Sequence, residues 1–269
     1  GADTILGNAG NDRIDGGVTN ADAYLVGGGG DDLMTVTQGD DTAIGQGGND
    51  RIVTGVGTDS LVGGAGADTM RAQGGDDQVL GQGQDDSMTG GSGNDFMAGG
   101  AGNDIILGQG QNDTIIGQNG DDTIRGGVGN DDINGGSGAD EIRGQGGNDI
   151  INGFLAQDTM LGGAGDDVFV FSNILHSNIG AEDLIQQWDI GSNTVDLSTI
   201  DANTSAGNGG NQAFTFVGLG SHTGAGGTLR YEQSGGSTWV YGDTDGDGND
   251  DFGIQIAGTH TLAGSDFTL

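Results

Sequence analysis

An aspartate recurs every nine residues through most of this 269-residue chain. Two residues after each aspartate stands an apolar side chain, as Ile106 follows Asp104. Glycine-rich segments such as 99–103 precede the aspartates. A repeat this short and regular predicts a stack of small identical units rather than an ordinary globular core.

The aspartate series runs without a gap over sixteen positions. Its members are Asp32, Asp41, Asp50, Asp59, Asp68, Asp77, Asp86, Asp95, Asp104, Asp113, Asp122, Asp131, Asp140, Asp149, Asp158 and Asp167. Asp3, Asp12 and Asp22 extend the series upstream, with two steps of ten residues around Asp22. These longer steps put the register of the first two coils in question.

Each nonapeptide predicts one turn and one short strand. Glycine allows the positive φ angles of a tight turn at little steric cost. The three residues after each aspartate then form a strand whose middle side chain points inward. Such a strand is unstable alone and must stack on a neighbour about 4.8 Å away. Two consecutive nonapeptides, with two turns and two strands, therefore close one coil around a thin apolar interior.

Stacked coils place every second aspartate of the series, such as Asp95 and Asp113, directly above one another. Columns of carboxylates repel unless a counter-ion lies between them. Ca²⁺ takes six to eight oxygen ligands, including backbone carbonyls, whereas Mg²⁺ demands stricter octahedral geometry. We therefore expect multiple Ca²⁺ ions, an expanded chain without calcium and a folded chain with it. The alternative is that each aspartate only ends a turn.

Two departures from the repeat affect these expectations. Gln replaces the second glycine at intervals that give a deeper unit of four nonapeptides, at Gln46, Gln73, Gln82, Gln109, Gln118 and Gln145. These glutamines lie two coils apart on each edge and cannot form a continuous ladder. The turn before Asp158, residues 153–157, has lost most of its glycines. We expect the metal site that uses this turn to be weak or empty.

The repeat Gly90-Gly91-Ser92-Gly93-Asn94-Asp95 and its copies resemble the RTX, or hemolysin-type, calcium-binding nonapeptide Gly-Gly-x-Gly-x-Asp-x-apolar-x. The resemblance covers residues 1–170. It implies an all-β, right-handed parallel β-roll with Ca²⁺ between successive turns. By this resemblance the metal-ligand role falls on Asp12 and on the sixteen aspartates of the uninterrupted series.

Residues 171–269 contain both tryptophans of the chain and much of its aromatic content. Alternating segments at 213–217, 228–231, 238–241 and 252–256 predict antiparallel strands that build an ordinary core and cap the roll. The region, including Val195–Asn203 and Gln212–Phe216, resembles the serralysin-type C-terminal domain that follows RTX repeats. We expect it to form a β-sandwich-like capping and secretion domain.

One loop of this region alternates acidic residues and resembles the first half of an EF-hand loop. Its proposed calcium ligands are Asp243, Asp245, Asp247 and Asp251. Ile254 stands where an EF-hand carries its twelfth-position glutamate. The alternative is a solvated acidic hairpin turn.

The last residues, Asp266–Leu269, resemble the acidic and then apolar ending of serralysin-type proteins. That resemblance implies an uncleaved signal for the type I secretion machinery. Gly1–Asp3 open in mid-repeat without an N-terminal signal peptide. We therefore expect the chain to be the C-terminal part of a longer secreted protein.

Composition excludes several functions. Forty acidic residues against six basic ones give a net charge of −34, which repels nucleic acids and anionic membranes. No apolar run is long enough for membrane insertion. There is no cysteine, no His-Glu-x-x-His motif and no Gly-x-Ser-x-Gly motif. The three histidines, His176, His222 and His260, are interpreted as surface or loop residues. We expect no enzyme activity here, although an upstream passenger could be a hydrolase.

Two functions therefore remain. The chain is either a calcium-dependent folding and export module of a larger secreted protein, or a self-assembling structural rod of a surface adhesin, filament or S-layer. Both place it outside the cell or on a bacterial cell surface. Ice binding is disfavoured because no column of threonine accompanies the repeat.

Overall fold

The structure is a computed structural model that describes residues 3–18, 20–188, 192–202, 212–224 and 226–269. The chain divides into two compact units, Gly1–Ser137 and Gly138–Leu269. The described residues of both units form β-strands and turns, with one short 3-10 helix and no α-helix. Over these ranges, no helical segment has the length and apolar character needed to cross a membrane.

The first unit is built from short strands separated by turns. In chain order the described strands are β1 (Thr4–Ala9), β2 (Arg13–Gly17), β3 (Tyr24–Gly29), β4 (Leu33–Val36), β5 (Thr42–Gly47), β6 (Arg51–Val53), β7 (Ser60–Ala65), β8 (Thr69–Gly74), β9 (Gln78–Gly83), β10 (Ser87–Ser92), β11 (Phe96–Ala101), β12 (Ile105–Gly110), β13 (Thr114–Asn119), β14 (Thr123–Val128) and β15 (Asp132–Ser137). Odd-numbered strands form sheet 1A and even-numbered strands form sheet 1B, each in sequential order. The chain therefore alternates between two parallel sheets.

The strand register confirms the predicted coil of two nonapeptides. Met88 on β10 aligns with Met70 on β8 and with Ile106 on β12. The first coil is longer than two nonapeptides, because Ile5 on β1 aligns with Leu25 on β3. The all-β parallel roll expected from the repeat is thus the observed fold of this unit.

The interior of the first unit is the predicted apolar column. The second residue after each aspartate from Asp32 onward is fully buried: Met34, Ala43, Ile52, Leu61, Met70, Val79, Met88, Met97, Ile106, Ile115, Ile124 and Ile133 all have 0% exposure. One coil is shifted by a residue, because Tyr24 is 43% exposed and Leu25 is buried in its place.

The second unit begins with the same alternation and ends with a different arrangement. Its described elements are β16 (Glu141–Gly146), β17 (Ile150–Leu155), β18 (Thr159–Ala164), β19 (Val168–Val170), β20 (Asp183–Gln186), β21 (Thr194–Asp196), β22 (Thr215–Gly218), β23 (Thr228–Ser234), β24 (Ser237–Asp243), β25 (Phe252–Ala257), the 3-10 helix η1 (Gly264–Asp266) and β26 (Phe267–Thr268). Sheet 2A has the order β17-β19-β21-β26, and sheet 2B has the order β16-β18-β20-β25-β24-β23-β22.

The C-terminal strands only partly follow the predicted antiparallel pattern. β23 pairs with β24, and β24 with β25, in antiparallel fashion as expected. The prediction was wrong for β22, which pairs with β23 in parallel, and β25 pairs with β20 in parallel. β20, β21 and β26 therefore extend the parallel sheets of this unit beyond the last repeat.

An aromatic core supports these strands, as expected from composition. Phe252 is buried and makes an edge contact with Phe214 at 5.7 Å between ring centroids. Phe216 stacks on Tyr231 at 6.0 Å and lies 5.3 Å from Phe267. Asn203, the last residue of one segment that carried the serralysin resemblance, lies outside the described residues. The domain boundary at residues 170 and 171 stays a prediction.

Candidate metal centre

Within each unit the repeated aspartates lie in two columns, which we call the inner columns. The even column contains the aspartates that precede even-numbered strands: Asp12, Asp32, Asp50, Asp68, Asp86, Asp104 and Asp122 in the first unit, and Asp140 and Asp158 in the second. The odd column contains those that precede odd-numbered strands from β5 onward: Asp41, Asp59, Asp77, Asp95, Asp113 and Asp131 in the first unit, and Asp149 and Asp167 in the second.

Backbone groups of each coil fix the aspartate of the next coil. The N–H of Asp86 donates to Oδ1 of Asp104 at 2.8 Å, and the carbonyl of Asp86 accepts from the N–H of Ile105 at 2.8 Å. The amide-to-carboxylate bond recurs within each unit at 2.6–3.0 Å. Every such bond uses Oδ1 and orients the second carboxylate oxygen.

The inner columns are buried. The aspartates from Asp32 to Asp167 are 0–3% exposed, like the apolar core. A second oxygen, Oδ2, is buried without a hydrogen bond at Asp12, Asp32, Asp41, Asp50, Asp59, Asp68, Asp77, Asp86, Asp95, Asp104, Asp113, Asp158 and Asp167. Buried polar groups in native proteins are almost always satisfied, so this recurrence requires an explanation.

Burial also shifts the acidity of these groups. Desolvation, together with the charge of the neighbouring column carboxylates, raises the pKa of Asp77, Asp86 and Asp113 to about 7. Burial raises the pKa of Asp50 and Asp104 to about 6. In the folded roll without a cation, burial therefore favours the protonated form of these aspartates.

Glycines let the backbone pass close to the carboxylates. A Cβ atom on Gly81 would lie 2.3 Å from Oδ2 of Asp86 and 2.5 Å from the carbonyl oxygen of Gly99, in the next coil. The glycine five residues before the aspartate has the same surroundings at Gly27, Gly45, Gly63, Gly99, Gly108, Gly117 and Gly144. A carboxylate oxygen and a backbone carbonyl oxygen thus converge where any side chain would collide.

This donor set fits calcium. Hard cations bind carboxylate and carbonyl oxygens, and Ca²⁺ accepts six to eight of them in a flexible geometry. A divalent ion shared by two carboxylates neutralises the column charge and gives the unsatisfied Oδ2 atoms a partner. The residues of the inner columns therefore fit the ion that the repeat predicted.

A second set of side chains, which we call the outer columns, was missed by the sequence analysis. It consists of the residue before each inner aspartate, usually Asn or Asp. Oδ1 of Asp85 accepts from the N–H of Asn103 at 2.8 Å, and Oδ1 of Asn103 accepts from the N–H of Asp121 at 2.9 Å. Inner side chains thus bond to the preceding coil and outer side chains to the following coil. The frequent Asn-Asp and Asp-Asp pairs were the available signal.

One aspartate of the predicted register belongs to the outer columns instead. Asp22 accepts from the N–H of Asp40 at 3.1 Å, as an outer residue does. Ala23 takes the inner place, because its N–H donates to Oδ1 of Asp41 at 2.7 Å. The placement of Asp22 in the inner register was wrong, since the ten-residue steps shift this coil by one residue.

The six substituting glutamines keep the backbone conformation of the glycine that they replace. Their φ angles lie between 79° and 87°, in the left-handed region. Gln118 aligns with Gly100 on one side and Gly136 on the other, so glutamine alternates with glycine along the edge. This confirms that the glutamines form no continuous ladder. In the turn before Asp158, Phe154 and Ala156 likewise have φ angles of 83° and 92°.

The acidic loop after β24 brings three of its four predicted ligands together. Asp243, Asp245 and Asp247 each present one carboxylate oxygen within 4.8 Å of the others. Asp243 is buried, and its two oxygens accept from the N–H groups of Gly246 and Gly248. Asp251 does not join this group, because its Oδ2 accepts from the backbone and hydroxyl of Thr244.

Two histidines are less exposed than expected. His176 is 3% exposed, and its ring lies 4.5 Å from that of Phe154. The His222 side chain is 2% exposed and lies 2.7 Å from Asp250, which also pairs with Arg230. Both histidines lie in loops, which agrees with the loop half of the interpretation, but their side chains are buried rather than at the surface. They belong to the packing of the second unit.

Comparison with known proteins agrees with this geometry. The family model of the RTX calcium-binding nonapeptide repeat matches residues 1–20, 26–61, 53–88, 72–106, 80–115, 107–142 and 134–169, more than half of the chain. A search of curated proteins finds no significant match.

Solved structures that are similar to this chain include two subunits of the Azotobacter vinelandii mannuronan C5-epimerase. The AlgE6R2 subunit is 27% identical, with a TM-score of 0.41, and the alignment covers 57% of this chain and 91% of that subunit. The AlgE6R3 subunit is 22% identical, with a TM-score of 0.28 and coverage of 60% and 80%. On its nonapeptides and the matching family model, this chain belongs to the RTX calcium-binding repeat family and binds Ca²⁺ at multiple sites.

Proposed function

We propose that the chain is a non-catalytic module of a larger secreted protein, which folds outside the cell as Ca²⁺ binds to the inner columns. The observation that carries this proposal is the recurrence of buried Oδ2 atoms without a hydrogen bond along each column. A single such atom could reflect one local site. Because these atoms recur along each column, they are a property of the fold, and a cation that pairs with them makes folding depend on its binding.

The proposed dependence suits a protein that crosses a membrane before folding. Extracellular calcium modules bind with dissociation constants of about 0.1–1 mM, whereas cytosolic sensors bind at about 10⁻⁷–10⁻⁵ M. An inner column that binds calcium as weakly as the extracellular modules stays metal-free inside the cell. The charge of −34 then keeps the chain expanded and suited to export.

We propose that the C-terminal residues are the export signal. In the folded chain Phe267 is buried and aligns with Val195 on β21, and the carbonyl of Thr268 accepts from the N–H of Leu197 at 2.9 Å. A transporter that reads this segment must therefore act before β26 joins sheet 2A. The calcium dependence of folding and the pairing of β26 in the folded chain both support export before folding.

An export assay tests this proposal. The chain is expressed with a type I transporter, in a strain with ordinary cytosolic calcium, and the secreted fraction is measured. Deletion of residues 266–269 should abolish secretion. A chain with residues 1–20 deleted is the matched control and should still be secreted. Secretion that is unchanged by the C-terminal deletion would contradict the export role while leaving calcium binding intact.

We also propose an additional calcium site in the loop formed by Asp243, Asp245 and Asp247. Hydrogen bonds from Gly246 and Gly248 hold Asp243 in place, while Asp245 and Asp247 are reachable from solvent. The double substitution D245N/D247N should reduce the bound calcium by one ion per chain in equilibrium dialysis. D15N, which replaces a carboxylate outside the columns and the loop, should leave the count unchanged. An unchanged count in the double variant would show a solvated acidic turn.

A further inference from the structure

Beyond the last matched repeat, two segments place polar side chains over the final aspartates of the inner columns. Oδ1 of Asp183 accepts from the N–H of Asp158 at 2.8 Å, and the N–H of Leu184 donates to the carbonyl of Asp158 at 2.8 Å. These are the two bonds that define the even column. Asp183 therefore occupies an inner position, although the segment that separates it from Asp158 is longer than two nonapeptides.

The odd column ends in the same way with a different side chain. Oδ1 of Asn193 accepts from the N–H of Asp167 at 2.9 Å, and the N–H of Thr194 donates to the carbonyl of Asp167 at 2.8 Å. The segment between Asp167 and Asn193 is also longer than two nonapeptides. An amide thus stands where the even column has a carboxylate.

The two end residues differ in what their second side-chain atom does. Nδ2 of Asn193 donates to the carbonyl of Trp188 at 3.3 Å. Oδ2 of Asp183 is buried without a hydrogen bond, on a residue with 0% exposure, and Oδ2 of Asp158 is in the same condition. No ion pair of the described residues involves either carboxylate.

We propose that Asp158 and Asp183 bind a Ca²⁺ ion outside the nonapeptide repeats, and that Asn193 ends the other column without one. The inference rests on the proposed function, because it assigns to these residues the donor chemistry of the inner columns. Two carboxylates supply the charge that neutralises a divalent ion in a buried place. An amide supplies one neutral oxygen, and the hydrogen bond of Nδ2 satisfies the rest of Asn193.

The turn before Asp158 retains the shape that such a site needs. Gly153 remains, and a Cβ atom there would lie 2.3 Å from Oδ2 of Asp158. Phe154 and Ala156 adopt the positive φ angles of the glycines that they replace. The inference therefore assigns a site to this turn, whereas the sequence predicted a weak or empty one.

The proposed ion connects the last repeat to the C-terminal strands of the second unit. The N–H of Asp183 donates to Oγ of Ser177 at 2.7 Å, and Ser177 Oγ donates to the carbonyl of Gly253 at 2.5 Å. Asp183 also aligns with Ile254 on β25. Binding at Asp183 would thus fix β20 and β25 against the repeats.

Crystals of the full chain grown in calcium chloride test the inference through anomalous difference maps. We expect peaks along the inner columns, one peak between Asp158 and Asp183, and no peak beside Asn193. In D183N the peak between Asp158 and residue 183 should vanish, while the peaks along the repeats stay. In N193D a new peak should form between Asp167 and residue 193.

Each outcome decides a different claim. Peaks along the repeats with none at Asp183 would overturn this inference and leave the proposed function standing. The absence of peaks along the repeats would overturn the proposed function itself. If D183N fails to fold, the wild-type map and N193D still decide, because both keep Asp183. In solution, D183N should bind one Ca²⁺ fewer per chain than the wild type by equilibrium dialysis.

Discussion

The backbone N–H of Asp86 donates to Oδ1 of Asp104 across 2.8 Å, and this bond leaves Oδ2 of Asp104 buried without a hydrogen bond. The same pairing along each column gives a row of oriented carboxylate oxygens inside the protein. Burying an anion is unfavourable unless a partner compensates for the lost hydration. Under the proposed function, the stability of the roll therefore depends on how much metal is bound.

Neutralising one inner carboxylate should weaken both binding and stability. Asn at position 104 keeps the Oδ1 acceptor for the N–H of Asp86 and removes the charge at Oδ2. We expect D104N to lower the free energy of unfolding in saturating calcium by roughly 3–5 kcal/mol, because breaking a buried ionic contact costs about that much. Chemical denaturation followed by circular dichroism measures the change.

The matched control is D85N. Asp85 is exposed, and its Oδ1 accepts from the N–H of Asn103, a bond that Asn retains. The same loss of one charge at this outer position should change stability by less than about 0.5 kcal/mol. Equal effects of D104N and D85N would contradict a special role for the inner columns.

Two glycines of β9 allow a steric clash at the carboxylate to be distinguished from the general effect of replacing glycine by alanine. A Cβ on Gly81 would collide with Oδ2 of Asp86 at 2.3 Å, whereas a Cβ on Gly83 would meet its nearest atom at an ordinary 3.6 Å. We expect G81A to lower the melting temperature in calcium and to reduce calcium affinity by tenfold or more, since it fills the place where oxygens converge. G83A should be close to neutral. Calorimetric melting and calcium titration of both variants give the comparison, and a neutral G81A would contradict the proposed placement of the ions.

The metal-free protein should be more structured at acidic pH. The unfolded pKa of Asp is about 3.9, whereas burial raises the folded pKa of Asp77, Asp86 and Asp113 to about 7. The folded state therefore binds more protons, so this contribution to stability is full below about pH 4 and is lost as pH rises towards 7.

Circular dichroism of metal-stripped protein at pH 5 and pH 8 checks this dependence. We expect more β-structure at pH 5. Calcium should reverse the order, because protons compete with the ion for the same oxygens. A metal-free protein with equal or greater β content at pH 8 would contradict the assignment of raised pKa values to the columns.

Relieving the backbone strain of one glutamine should stabilise the roll. Gln118 has a φ angle of 84°, a left-handed conformation that costs a non-glycine residue roughly 1–2 kcal/mol. Q118G should therefore raise the free energy of unfolding by about 1 kcal/mol in calcium. Q78G, in an extended part of β9, should instead lower it by roughly 0.5–1 kcal/mol. A destabilising Q118G would indicate that the glutamine side chain contributes a contact.

Spacing predicted the regular part of the structure well, because each nonapeptide carries its own turn, strand and inward side chain. The register of Met70, Met88 and Ile106 follows from that spacing alone. Spacing failed where the step changed. Asp22 could be placed correctly only from pairing, since Ala23 bonds to Asp41 in its stead.

Tertiary pairing also explains what the sequence did not reveal after the last repeat. Asp183 and Asn193 follow segments of different length, so no fixed interval identifies them as column residues. Their local pattern was visible, since an apolar residue stands two positions later in each case, at Ile185 and Val195. The parallel pairing of β22 with β23 had no local signal, because alternation does not encode strand direction.

Simultaneous measurement of folding and bound calcium tests the central claim most directly. Metal-stripped protein at pH 7.4 is titrated with Ca²⁺ while circular dichroism, the radius of gyration by X-ray scattering and the bound calcium are recorded, with Mg²⁺ as the control ion. We predict an expanded chain without metal, and β-structure that grows in step with bound calcium but not with magnesium. A metal-free chain that already has the compact β-roll at this pH would contradict the account.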